Sequence, residues 1–83
     1  MKHFTEPRFW PCYNSLPEPI RRLADKNFEM LKFDSKHPSL RLKKVGVNWS
    51  VRVGLYYRAL GKDCPEGMVW FWIGPHSEYD RMT

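Results

Sequence analysis

The chain has 83 residues, 14 Lys and Arg against nine Asp and Glu, and three His, for a formal charge of +5. Such a length holds one small domain, burying only about 60–65% of the surface its unfolded form exposes, so the core must be dense in large side chains; four Trp, four Tyr and five Phe supply them. The longest apolar run, Met68 to Ile73, falls far short of the ~20 residues of a membrane span. No targeting segment is visible, because Glu6, Pro7 and Arg8 interrupt before any apolar stretch forms, and a cytoplasmic protein is the expectation.

Met1 to Asn14 mixes Phe4, Phe9, Trp10 and Tyr13 with Pro7 and Pro11. It reads as a short strand or extended arm followed by one irregular turn, since Pro11 limits or breaks any helix opened at Pro7. Leu16, Ile20, Leu23, Ala24, Phe28, Met30 and Leu31 then recur at three- and four-residue steps, the period of an amphipathic helix. Ser15 followed by Glu18 is a capping-box pattern with Pro17 in the first turn. The helix should end near Asp34, where His37 precedes Pro38 and is pushed out of the α region.

From Leu40 the period is two. Leu40 and Leu42 alternate with Arg41 and Lys43, and Trp49, Val51 and Val53 alternate with Ser50, Arg52 and Gly54. Tyr56 to Leu60 and Val69 to Ile73 are further β-rich runs, with turns at Gly46 to Asn48 and Gly61 to Gly67. The order predicts an α+β fold: a short N-terminal strand or arm and helix packed on a mainly antiparallel four-stranded sheet. Residues 1–83 form one domain. Met68 to Ile73 is apolar on both sides and belongs in the interior of that sheet.

Between Ser35 and Lys62 there is no Asp or Glu, while Lys36, Arg41, Lys43, Lys44, Arg52, Arg58 and Lys62 all fall there. Alternation gathers the strand cations on the face away from the helix. An antiparallel sheet ordinarily turns one polar face to water, but an ordinary solvated face mixes its signs. This one-signed stretch points to a polyanion, and RNA fits it, because single strands are held by cations on phosphates and aromatic faces under bases. Trp49, Tyr56, Tyr57, Trp70 and Trp72 lie nearby; most are needed by the core, and one or two are expected to be exposed. Cys12 and Cys64 form no CxxC and have no adjacent His, so they read as two reduced thiols, and no metal or cofactor constellation is visible.

After the last strand comes a polar cluster, His76, Ser77, Glu78, Tyr79, Asp80 and Arg81. The runs His37 to Lys44, Trp49 to Gly54, Tyr57 to Leu60, then Ile73, Gly74 and His76 to Tyr79 together resemble the RelE/ParE superfamily, the toxin halves of bacterial type II toxin–antitoxin pairs. The resemblance covers Leu16 to Arg81 in element order. It implies a cognate antitoxin protein as partner and one of two activities: cleavage of mRNA on the ribosome, or non-catalytic inhibition of DNA gyrase. In RNA-cutting members, basic residues of the middle strands and a residue after the last strand surround the scissile phosphate. Arg52 and Arg58 match two such basic positions, and His76 and Tyr79 match the C-terminal ones. Ser50 stands where some of these members carry another basic residue.

The chemistry suits these residue types. Cleavage through the RNA 2′-hydroxyl needs a base, cations for the phosphorane and an acid for the 5′-oxygen. His transfers protons near neutral pH, and the guanidinium fork of Arg fits phosphate oxygens. The expectation is a metal-independent mRNA endoribonuclease in which Arg52 and Arg58 stabilise the phosphorane. His76 is base or acid, or else a structural histidine bonded to a turn. Tyr79 orients the nucleotide, stacks on a base or shares the proton work, and Glu78 is a lesser candidate base. Lys36, Arg41, Lys43 and Lys44 are expected to bind RNA.

Overall fold

A computed structural model describes residues 2–82. Its elements are β1 (Lys2–Thr5), α1 (Phe9–Asn14), α2 (Glu18–Phe33), a 3-10 turn (Pro38–Leu40), β2 (Lys43–Val45), β3 (Asn48–Val53), β4 (Tyr57–Cys64), β5 (Gly67–Pro75) and α3 (His76–Met82). The fold is α+β, with one sheet in the order β1-β5-β4-β3-β2. The sheet has five strands rather than the expected four. The N-terminal strand joins it parallel to β5, Lys2 opposite Gly67 through Thr5 opposite Trp70. The other pairings are antiparallel. β5 lies between β1 and β4, the interior position its apolar sequence demands.

The core fills one face. Val51, Val53, Ala59, Met68, Trp70 and Ile73 of the sheet pack with Leu16, Leu31 and Leu40, and Leu23, Ala24 and Phe28 of α2 lie against them. Among the described residues no helix is long and apolar enough to cross a membrane. Cys12 and Cys64 are both free.

Four local expectations are corrected. The irregular turn after β1 is the helix α1, and Pro11 fits because it is the third helical residue, where a backbone N–H has no intrahelical acceptor anyway. The capping box at Ser15 does not form. Ser15 caps the end of α1 instead, and its hydroxyl donates to the Pro11 carbonyl over 2.9 Å.

Leu40 to Leu42 is not a strand either; the strand begins at Lys43. The ring Nδ1 of His37 accepts from the Ser39 N–H over 3.2 Å and caps a 3-10 turn, and Arg41 follows with φ 48° in the left-handed region. Leu40 still points inward, fully buried, so the alternation forecast the burial but not the backbone.

Gly61, expected in a turn, lies within β4 beside an irregularity of register between Leu60 and Gly61. A Cβ there would sit 2.7 Å from Trp70 Cε3, so the glycine serves close packing in a strand.

Candidate functional site

The second face of the sheet carries the site. In antiparallel register Lys43 pairs with Ser50, Ser50 with Leu60, Arg52 with Arg58, Leu60 with Trp72, and Arg58 with Gly74. Paired residues point to the same side, so Lys43, Ser50, Arg52 and Arg58 share the face opposite the core. α3 packs against β4 and β5, and brings His76 and Tyr79 onto this face. Glu78 in the first turn and Arg81 in the last suit the dipole of this short helix, and Tyr79, 5% exposed, anchors it.

Arg58 is the hub. Its Nε–H donates to His76 Nδ1 over 3.2 Å, and Nη1 donates to the Ser50 hydroxyl over 3.1 Å. Its guanidinium carbon lies 5.3 Å from the centre of the Tyr79 ring, a cation–π distance. Ser50 is completely buried, so its hydroxyl holds Nη1 without competition from water. On the far side of the imidazole, His76 Nε2 lies 3.2 Å from Asp80 Oδ1, one helical turn on. With Nδ1 accepting from Arg58, the proton of the neutral ring sits on Nε2, the nitrogen nearer Asp80.

Arg52 stands directly across the ladder from Arg58. Like charges in that position destabilise a sheet, and each arginine here has its own partners. Arg52 Nε donates to the Gly54 carbonyl over 2.9 Å, which draws it toward the β3–β4 turn. Gly54 has φ 67°, the left-handed conformation that glycine adopts without strain. The same turn is tied to α3, because the His76 N–H donates to the Tyr56 carbonyl over 2.7 Å.

The basic stretch is less uniform in space than in sequence. Lys44 pairs with Trp49 and therefore lies on the core side, where its Nζ is 3.3 Å from Asp63. Lys62 Nζ is 2.7 Å from Glu6, which also accepts from Arg8. Hydrogen bonds from Lys62 and then Arg8 hold the Glu6 carboxyl below its usual range. Lys43 is exposed on the site face, whereas Arg41 and Lys36 are exposed outside the strands. Of the expected site residues, Arg58, His76 and Tyr79 come together, with Arg52 across the ladder.

Ser50 and Asp80 complete the network and carried no role in the sequence reading. Signals for both existed: Ser50 is two residues from Arg52 on the same strand face, and Asp80 is four residues from His76. Of the five aromatics set among the cations, Trp70 is buried, Trp49, Tyr57 and Trp72 are half-buried, and Tyr56 is 73% exposed.

A model of the ParE-like toxin domain matches residues 19–81 of the chain. Among solved structures, a chain of the crystal structure of the RelB–RelE antitoxin–toxin complex from Methanococcus jannaschii superposes with a TM-score of 0.70. The two are 20% identical in sequence, and the match covers 96% of this chain and 99% of that one. No curated protein matches the sequence.

Proposed function

Because the chain belongs to the ParE-like toxin domain family, we propose that it is the toxin half of a toxin–antitoxin pair and that it cuts mRNA on the ribosome. The observation that carries this reading is Arg58, held by Ser50, His76 and the Tyr79 ring on the sheet face away from the core, with a second arginine opposite. An arginine pair set against self-repulsion is costly to the fold and useful to a phosphate.

In the proposed reaction the RNA 2′-oxygen attacks its own phosphorus. Arg52 and Arg58 turn their guanidinium groups onto the non-bridging oxygens. When Arg58 leaves Nδ1 for the phosphate, that nitrogen becomes the base and takes the 2′-hydroxyl proton. Asp80 keeps the proton on Nε2 and stabilises the imidazolium that results. The P–O5′ bond breaks, the 5′-oxygen takes a proton from water, and a 2′,3′-cyclic phosphate remains. A positioned base contributes about 10²–10⁴-fold, and a charged donor at the phosphorane about 10²–10³-fold. Tyr79 serves as the platform on which Arg58 rests, since its ring is buried. Lys43, on the same face, and the exposed Lys36 and Arg41 bind flanking phosphates or ribosomal RNA; the paired Lys44 is withdrawn from that role.

The family match favours a second reading, a ParE-like inhibitor of DNA gyrase without nuclease chemistry. Induced expression separates the two. The nuclease reading expects protein synthesis to stop before DNA synthesis, with new cuts in ribosome-bound mRNA. Arrested replication with gyrase-trapped DNA breaks and intact mRNA would establish the inhibitor instead. An antitoxin partner is expected under both readings, and co-expression with a cognate antitoxin should neutralise the toxicity.

A further inference from the structure

The β3–β4 turn places an exposed aromatic at the margin of the arginine pair. Tyr56 is 73% exposed and Leu55 beside it 70%. A small domain that needs its aromatics inside leaves this ring in water. The backbone under it is nevertheless fixed at two points. Gly54 O is bonded by Arg52 Nε over 2.9 Å, and Tyr56 O by the His76 N–H over 2.7 Å. The two residues that anchor the turn also belong to the phosphate-binding network. The ring is therefore exposed, yet its Cα is held in register with the cations.

Resting on the RNA reading above, we propose that Tyr56 is a stacking platform for an unpaired nucleobase adjoining the phosphate held by Arg52 and Arg58. The face of a base is apolar and polarizable, and a tyrosine ring offers a matching surface at little cost in side-chain entropy. The site so defined selects single strands, because a base within a duplex has no free face. It discriminates weakly among the four bases, since each presents a π-face.

The test measures binding by the wild type, Tyr56→Ala and Tyr56→Phe at one salt concentration. The three probes are a short single-stranded RNA, the same sequence as a duplex, and inorganic polyphosphate, which has charge but no bases. Stacking predicts that Tyr56→Ala weakens single-strand binding by about 5- to 150-fold. Binding of the duplex and of polyphosphate should be unchanged, and Tyr56→Phe should behave as wild type. Equal weakening on all three probes would show that the residue acts only through the turn, and no weakening on the single strand would remove it from the interface. Either result overturns the stacking role and leaves the RNA reading intact. A wild type that binds none of the three probes would overturn both.

Discussion

The fully buried hydroxyl of Ser50 accepts a hydrogen bond from Arg58 Nη1 across the β3–β4 ladder, over 3.1 Å. With no exposure to water, this hydroxyl is free to fix the guanidinium beside it. Ser50→Ala should leave Nη1 without its partner, lower stability by about 1–2 kcal/mol and slow cleavage by roughly 10- to 100-fold through misplacement of the cation. Arg58→Lys should lose about 10²–10³-fold, because an ammonium does not span Ser50 and His76 as the planar fork does. Denaturant unfolding together with cleavage of ribosome-bound mRNA checks both variants.

In the proposed reaction Asp80 acts through His76, 3.2 Å away. Asp80→Asn keeps the length of the side chain but removes the charge that stabilises the imidazolium formed in the proposed reaction. Cleavage at saturating RNA should fall by about 10²-fold or more, within the range for a positioned base, with a changed dependence of rate on pH. RNA affinity should stay within about twofold. A uniform loss of affinity with an unchanged pH profile would mark Asp80 as merely structural.

His3 makes stability depend on pH. Burial pushes its imidazole below the ordinary value of 6.5, and the positive amino terminus and Lys32 add to the effect. Its Nδ1 accepts from the Trp70 Nε1–H over 3.1 Å, tying β1 to β5. The folded pKa is the lower one, so as pH falls the unfolded chain takes up the proton first. The contribution is whole above about 6.5 and is lost as pH drops from there to the depressed folded value. His3→Gln retains an acceptor for Trp70 and cannot titrate. Urea unfolding at pH 8 and pH 5 should show a smaller loss in the variant than in the wild type.

Lys43 and Lys44 are neighbours in sequence and opposites in space, the first on the site face and the second beside Asp63 on the core side. If about four cations meet single-stranded phosphates, log affinity should fall with log salt at a slope near −3. Lys43→Ala should reduce that slope by about 0.7, and Lys44→Ala should leave it unchanged. Titrations of a short RNA at several salt concentrations check the contrast.

What could be read from the sequence followed from periodicity. The 3.6-residue repeat marked α2 to within a few residues, and the alternation through Trp49–Gly54 set Arg52 on the face away from the core, while Arg58 was marked by the family resemblance. Periodicity failed where one local bond overrode it. The His37 cap turned an alternating stretch into a 3-10 turn, and Gly61 packs against a tryptophan where glycine usually signals a turn. The pairing of Lys44 with Asp63 and of Lys62 with Glu6 joins residues 19 and 56 positions apart, beyond the reach of any charge count along the chain. His76 and Arg58 were both identified as candidates, but their direct bond depends on where α3 folds back, and that is decided by the burial of Tyr79.

In the proposed reaction Arg58 serves a phosphate under attack by the neighbouring 2′-hydroxyl. The most direct measurement maps the ends of mRNA after incubation with purified ribosomes and either the wild type or Arg58→Ala, with folding of the variant verified by its unfolding midpoint. Fragments ending in 2′,3′-cyclic phosphate and 5′-hydroxyl are expected with the wild type, reduced at least ~10²-fold in the variant. Intact mRNA with the wild type, or equal cleavage by a folded Arg58→Ala protein, would contradict the proposed reaction.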